Sequence, residues 1–323
     1  MKKFSLWCDF IENEFLDHEF LDLIYSKTIN GATSNPAIFK NAILNSAIYK
    51  EKIEKSNLKD KKALYEYLAV EDIAKAADKL AINYYENNDG FISIEIDPRL
   101  KDNTSLSLAE AKRLYTQITK ENVMMKIPAT EASYEVMREL MKNGISVNAT
   151  LIFDFEQTKQ CFEALNLGLK EFRKNNIVTK KEPQAVISIF VSRFDRLLNN
   201  QVLDKNYIGI LTATKAYNYI IKQNEANIRA LFASTGVKGD DLEKDYYIKE
   251  LLYDKAINTA PLDAIRAFKG KQIVFKEPLK DECIEKKLNA NISKDALSKA
   301  CKDLLDDGLE QFCIAYEDIL KSL

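Results

Sequence analysis

Short apolar runs rich in β-branched residues alternate along this chain with long lysine- and glutamate-rich segments, in which alanine and leucine recur at three- and four-residue spacing. Runs of the first kind fit buried strands and segments of the second kind fit amphipathic helices. Their regular alternation is the signature of βα units around a parallel sheet. The strand candidates are residues 5–9, 31–35, 91–97, 123–128, 145–150, 185–193, 230–234 and 256–260, with helices expected over 70–85, 107–119, 133–143 and 155–174. Eight strands, with only 9 glycines and 6 prolines to mark a linker, point to one closed barrel and not to an open doubly wound sheet. The G-x-G-x-x-G fingerprint and the phosphate loop of nucleotide-binding folds are both absent from the sequence. The length of 323 residues lies within the roughly 200 to 400 of single α/β barrels. The expected architecture is therefore a single (β/α)8 TIM-type barrel domain over 1–323, with 269–323 as a C-terminal helical extension. Residues 292–295 read as the cap of a helix over 296–305, and a helix laid across the barrel mouth is expected from this extension.

Composition narrows the function. Hydrophobic residues make up 46% and charged residues 30%, so the chain can bury a sizeable core and still solvate a surface. Lysine plus arginine total 47 against 49 aspartate plus glutamate, leaving no net positive field for holding a nucleic acid. The opening residues carry two lysines, but Asp9 and Glu12 break the apolar run too early for a signal-peptide core. No apolar stretch is long enough to span a bilayer, so the expectation is a cytoplasmic protein with no membrane partner, a monomer or a homodimer. The five cysteines, Cys8, Cys161, Cys283, Cys301 and Cys313, are odd in number and never form a C-x-x-C pair, which fits reduced thiols better than disulfides or a zinc site. The single histidine, His18, stands between Asp17 and Glu19 and reads as an ordinary surface residue, so the chemistry is expected to proceed without imidazole.

In a barrel of this kind the active site lies at the carboxyl ends of the strands. Polar residues close one run after another there. The first closes on Asp9, the second on Thr33 and Asn35, the third on Glu95 and Asp97, and the fifth on Asn148 and Thr150. Side chains two apart on a strand share a face, so each of these pairs can point into one lumen. Any single pair could equally belong to a solvated loop. Six or seven runs ending this way together are harder to read as loops alone.

The fourth run places Lys126 between Met125 and Ile127. Apolar surroundings disfavour the ammonium form and supply the free amine that carbonyl attack requires. The alternative is a structural lysine paired with a buried carboxylate such as Glu95, and the residues alone leave both readings open. Lys276, after the eighth run and beside Glu277, reads as a surface lysine. Phosphate binding needs fixed cations near hydroxyl or backbone donors. Ser192-Arg193 and Ser234-Thr235-Gly236-Val237-Lys238 offer them after the sixth and seventh runs, although Arg193 could instead make a weak surface pair with Asp195.

Taken together, Gly31-Ala32-Thr33-Ser34-Asn35-Pro36-Ala37-Ile38-Phe39, Ser93-Ile94-Glu95-Ile96-Asp97-Pro98-Arg99-Leu100, Lys126-Ile127-Pro128-Ala129-Thr130, Asn148-Ala149-Thr150-Leu151-Ile152-Phe153 and Ser188-Ile189-Phe190-Val191-Ser192-Arg193 resemble the successive motifs of transaldolases. The resemblance runs from Trp7-Cys8-Asp9 through Ala233-Ser234-Thr235-Gly236-Val237-Lys238 and Asn258-Thr259-Ala260-Pro261 to the C-terminal helix. It implies Lys126 as the Schiff-base lysine, Asp9 as the acid/base for carbon–carbon cleavage, and Glu95 with Thr150 as the pair holding a catalytic water. It further implies that Thr33, Asn35, Asn148, Ser188 and Phe190 line the substrate pocket and that Arg193 and Ser234 bind phosphate. The sequence departs from the best-known branch where Gly236 replaces an arginine two residues after the serine. Lys238, as in the A-S-T-G-V-K form of the longer transaldolases, is the expected substitute. The implied reaction moves a dihydroxyacetone unit from sedoheptulose 7-phosphate to glyceraldehyde 3-phosphate, giving erythrose 4-phosphate and fructose 6-phosphate, a step of the non-oxidative pentose phosphate pathway. It needs no metal and no organic cofactor.

Fructose 6-phosphate aldolases of the same superfamily release free dihydroxyacetone. They are much shorter and tend to have glutamine where Glu95 stands and tyrosine where Phe190 stands. A non-catalytic barrel that only binds sugar phosphates would be expected to have lost Lys126 or Asp9, and both are present.

Overall fold

A computed structural model describes residues 4–175 and 181–323. Eight parallel strands close on themselves in sequence order: β1 (Ser5–Cys8), β2 (Gly31–Thr33), β3 (Ile92–Glu95), β4 (Val123–Pro128), β5 (Ser146–Ile152), β6 (Ala185–Phe190), β7 (Ile228–Ala233) and β8 (Ile257–Ala260). Closure is made by β1 against β8, with Ser5 opposite Ile257 and Cys8 opposite Ala260. All eight expected strands are present, and the (β/α)8 barrel is the fold of the chain.

The alternation along each strand explains why. On β4, Val123, Met125 and Ile127 face outward into the layer shared with the helices, and Met124 joins the second apolar cluster inside the barrel. The same switch places Ala185, Ile187 and Ile189 of β6 outward, and Val186 and Phe190 inward. A period of two in each strand and of about 3.6 in each helix lets both layers bury an apolar face at once. The interior is floored by Trp7, Met124, Val186, Leu231 and Ile257. Gly31 makes room for this floor: a Cβ there would lie 2.5 Å from the Trp7 indole.

The helices start where their caps fall. The helix expected from residue 70 begins earlier, at Lys61–Lys79, because the Asp60 side chain accepts from Ala63 N at 2.8 Å and Leu64, Tyr65, Leu68 and Ala69 extend the same buried stripe. It ends at Leu80, and a separate short helix, Ala81–Tyr85, follows. Asn103 caps Thr104–Ile118, accepting from Leu106 N at 3.0 Å. Several expected strand ends shift by one to three residues. Asp97 does not continue β3 into the lumen: Pro98 removes a backbone donor, and Asp97 turns to cap Arg99 and to bind Lys62 at 3.0 Å beneath the helices. The sixth run ends at Phe190, and Ser192 and Arg193 open the helix Ser192–Leu198.

The C-terminal extension is helical over Asp281–Asn291 and Lys294–Ser322, whereas residues 271–280 form no regular element. Ser293 caps the last helix through Ala296 N at 3.2 Å, and the helix runs well beyond residue 305. It crosses the carboxyl ends of the strands. Tyr316 packs edge-on against Tyr65 at 5.2 Å, Asp318 binds Lys40 at 2.7 Å, and Cys301 donates to the Phe153 carbonyl at 3.3 Å. A Cβ on Gly308 would come within 2.9 Å of Leu151, so glycine allows the helix to lie this close. Among the described residues no helix is long and apolar enough to cross a membrane.

Candidate active site

Lys126 sits on β4 with its neighbours fixed by strand register. Glu95 of β3 lies opposite on one side and Asn148 of β5 on the other, so three inward polar residues form one row across three strands. The Lys126 Nζ donates to the Ser34 carbonyl at 3.0 Å and lies 3.4 Å from Glu95 Oε2. The ring of Phe312, from the C-terminal helix, stands 5.5 Å from the same nitrogen. Lys126 and Glu95 are both buried, at 5% and 7% exposure. The Glu95 carboxyl is pushed up to about 7, because burial penalises its charged form more than the Lys126 ammonium favours it. Glu95 approaches Lys126 without meeting hydrogen-bond geometry, and its two oxygens have no hydrogen-bond partner among the described residues. The same holds for Thr150 Oγ1. Thr150 lies one residue before Leu151, which adopts a left-handed φ of 58° where the register between β5 and β6 shifts.

On the opposite wall, Thr33 donates to Asp9 Oδ1 at 2.6 Å and contacts the Thr259 hydroxyl at 2.7 Å. Protein surrounds the Asp9 carboxyl deeply enough that desolvation raises its pKa, although Lys126 and the Thr33 hydroxyl pull the other way. Asn148 donates to Ser93 Oγ at 3.1 Å and accepts from Ser188 Oγ at 2.6 Å, which fixes its amide. Asn35 is held by its own role as helix cap, accepting from Ile38 N at 3.0 Å with Pro36 at the first helical position.

These groups line one cavity of about 610 Å³. Asp9, Thr33, Asn35, Lys126, Asn148, Thr150, Ser188, Phe190, Arg193 and Ser234, all expected from the sequence, border it. Glu95 reaches Lys126 from behind and borders a separate crevice with Tyr65 and Tyr316. Lys238 is not brought to this cavity: it lines a smaller one beside Ser192, Asp195, Asn199 and Tyr247, and Arg196 borders both. Lys276 binds Glu250 at 2.6 Å and lies outside the cavity, and His18 is exposed. Arg193 carries an ion pair to Asp307 at 3.1 Å, and burial together with the nearby Arg196 lowers its pKa. No three His, Cys, Asp or Glu side chains cluster as a metal site among the described residues.

Several lining residues were missed by sequence reasoning. Arg196 carried a usable signal, lying three residues after Arg193 at helical spacing. Thr259 closes β8 as Thr33 closes β2 and could have been read the same way. Asp307, Gln311 and Phe312 had none, since they reach the cavity from a helix more than a hundred residues further along the chain.

The framework is a closed parallel barrel with a buried amine and buried carboxyl groups at its strand ends, crossed by a helix. The sequence model of the family described as Transaldolase/Fructose-6-phosphate aldolase matches residues 6–323. A transaldolase of Campylobacter jejuni subsp. jejuni is 71% identical over 327 residues, covering 100% of both chains. Transaldolases of two Helicobacter pylori strains are 42% and 43% identical, again over 100% of both chains. The chain belongs to the transaldolase/fructose-6-phosphate aldolase family, and it is an enzyme of the transaldolase kind.

Proposed function

We propose that the chain transfers a dihydroxyacetone unit from sedoheptulose 7-phosphate to glyceraldehyde 3-phosphate through a Schiff base on Lys126. The Lys126 amine adds to the ketose C2 carbonyl. The carbinolamine then loses water to give an iminium. Asp9 takes the proton of the C4 hydroxyl, the C3–C4 bond breaks, and its electron pair flows into the iminium to leave an enamine while erythrose 4-phosphate departs. The enamine carbon then attacks the aldehyde of glyceraldehyde 3-phosphate, and Asp9 returns its proton to the new alkoxide. Water restores the ketone and releases fructose 6-phosphate. Glu95 and Thr150 serve the proton transfers of the first and last steps by way of a water.

The observation that supports this most is the placing of Lys126 Nζ 3.4 Å from Glu95 Oε2, in the lumen that Asp9 borders from the other wall. The unpartnered, buried oxygens of Glu95 and Thr150 support the water relay, since buried polar groups without partners are costly and need a reason. Borohydride added with fructose 6-phosphate tests the reading. It should inactivate the enzyme and add mass to the peptide containing Lys126, whereas labelling of Lys276 or no labelling would overturn it.

A further inference from the structure

We propose that Arg196 is a second phosphate-binding residue of the cavity, sharing the phosphate group of the sugar with Arg193. The proposal rests on the functional reading above. It asks which cation completes the phosphate corner when Gly236 contributes no side chain and Lys238 borders only the smaller neighbouring cavity, whereas Arg196 borders both.

A phosphate monoester carries about −1.5 to −2 charge at neutral pH. Arg193 meets only part of this, because its Nη1 is already engaged by Asp307 at 3.1 Å. Three other cations line the cavity. Lys126 is held at its centre beside Glu95, and Lys40 is bound to Asp318 at 2.7 Å. Arg196 is the third: exposed at the rim, it borders both this cavity and the smaller one where Lys238 lies, and it makes no hydrogen bond or ion pair among the described residues. Asp195, its neighbour in sequence, does not neutralise it: that carboxylate is buried and accepts from the Tyr247 hydroxyl.

Arg193 and Arg196 stand three residues apart on the helix Ser192–Leu198 and so share a face. Two guanidinium groups side by side repel each other. An anion held between them would reverse the sign of that interaction, and the planar fork of each matches phosphate oxygens. Ser234 borders the same corner, in a left-handed conformation with φ 53° and its hydroxyl 3.1 Å from that of Ser192.

Inorganic phosphate, titrated calorimetrically into the purified full chain, tests the assignment alongside steady-state kinetics with fructose 6-phosphate. Arg196→Ala should weaken phosphate binding by about 10-fold, the loss of roughly one hydrogen bond to a charged group, and raise KM for fructose 6-phosphate in parallel with kcat little changed. Arg196→Lys should fall between, and Lys238→Ala should bind phosphate like the unmodified protein. The proposal is overturned if Arg196→Ala binds phosphate as before, if Lys238→Ala shows the loss instead, or if the unmodified protein binds no phosphate. Should phosphate bind through Arg196 while the unmodified enzyme leaves fructose 6-phosphate untouched, the reaction assigned above fails and the anion subsite stands.

Discussion

Lys126 and Glu95 are direct register partners on β4 and β3, and their charged atoms meet 3.4 Å apart in a buried interior. A carboxyl poised near neutrality beside an amine can take a proton from it and hand it on, and the rate of such an exchange depends on pH. Borohydride trapping of the donor should therefore speed up as pH rises through about 7, where Glu95 becomes ionised. Glu95→Gln keeps the shape but cannot accept a proton. It should lose this inflection and trap about 10²–10⁴-fold more slowly. Trapping as fast as in the unmodified enzyme would leave Glu95 with charge balance alone.

The same carboxyl affects stability. The folded chain holds a proton at Glu95 up to about pH 7, while the unfolded chain releases it near 4.5. Its contribution is thus complete below about 4.5 and is lost as pH rises through about 7. Urea unfolding at acid and at mildly alkaline pH should show a smaller decline for Glu95→Gln than for the unmodified protein.

Under the proposed mechanism, Asp9 works on a different bond. Asp9→Ala should leave reduction of the donor adduct intact and abolish release of erythrose 4-phosphate, measured by a coupled assay. An equal loss of trapping would move Asp9 to Schiff-base formation.

Arg193→Ala should weaken binding of phosphorylated sugars by about 1.5–3 kcal/mol, as for a charged hydrogen bond, with far less effect on fructose. Equal losses for fructose and fructose 6-phosphate would make this arginine a clasp for Asp307 and nothing more.

Gly308→Ala sets two effects against each other. Alanine favours a helix by about 1 kcal/mol, but here its Cβ would press on Leu151 at 2.9 Å, and overpacking costs about 1–3 kcal/mol. The clash should win, lowering the melting temperature and raising KM as the helix shifts from the cavity. Unchanged values for both would show that the helix yields freely.

The barrel was legible because strand and helix periods repeat along the whole chain, and each unit needs only local sequence to declare itself. The strand-end residues that line the cavity were legible for the same reason: Ser188 lies two residues from Val186 and from Phe190 on one strand face, and Asn148 two residues from Thr150 on another. Asp97 kept that spacing and still left the lumen, because the strand ends at Glu95 and Asp97 caps the turn that Pro98 opens. Lys238 lay in the right loop, but a loop fixes no direction, and the structure turns it away. The roof was hidden for a further reason. Asp307 and Phe312 meet Arg193 and Lys126 only after the last helix folds back, and no local pattern encodes such a pairing.

Inside the barrel, Met124 of the floor and Lys126 of the chemical layer are separated by two residues of one strand, about 6.6 Å. A plane drawn across the barrel axis at that level divides the interior into two territories with separate obligations. Substitutions below it, such as at Trp7 or Leu231, fall on what keeps the chain folded, and substitutions above it fall on what the enzyme accepts and converts. Selection can then retune the upper territory for a new substrate while leaving the lower one untouched.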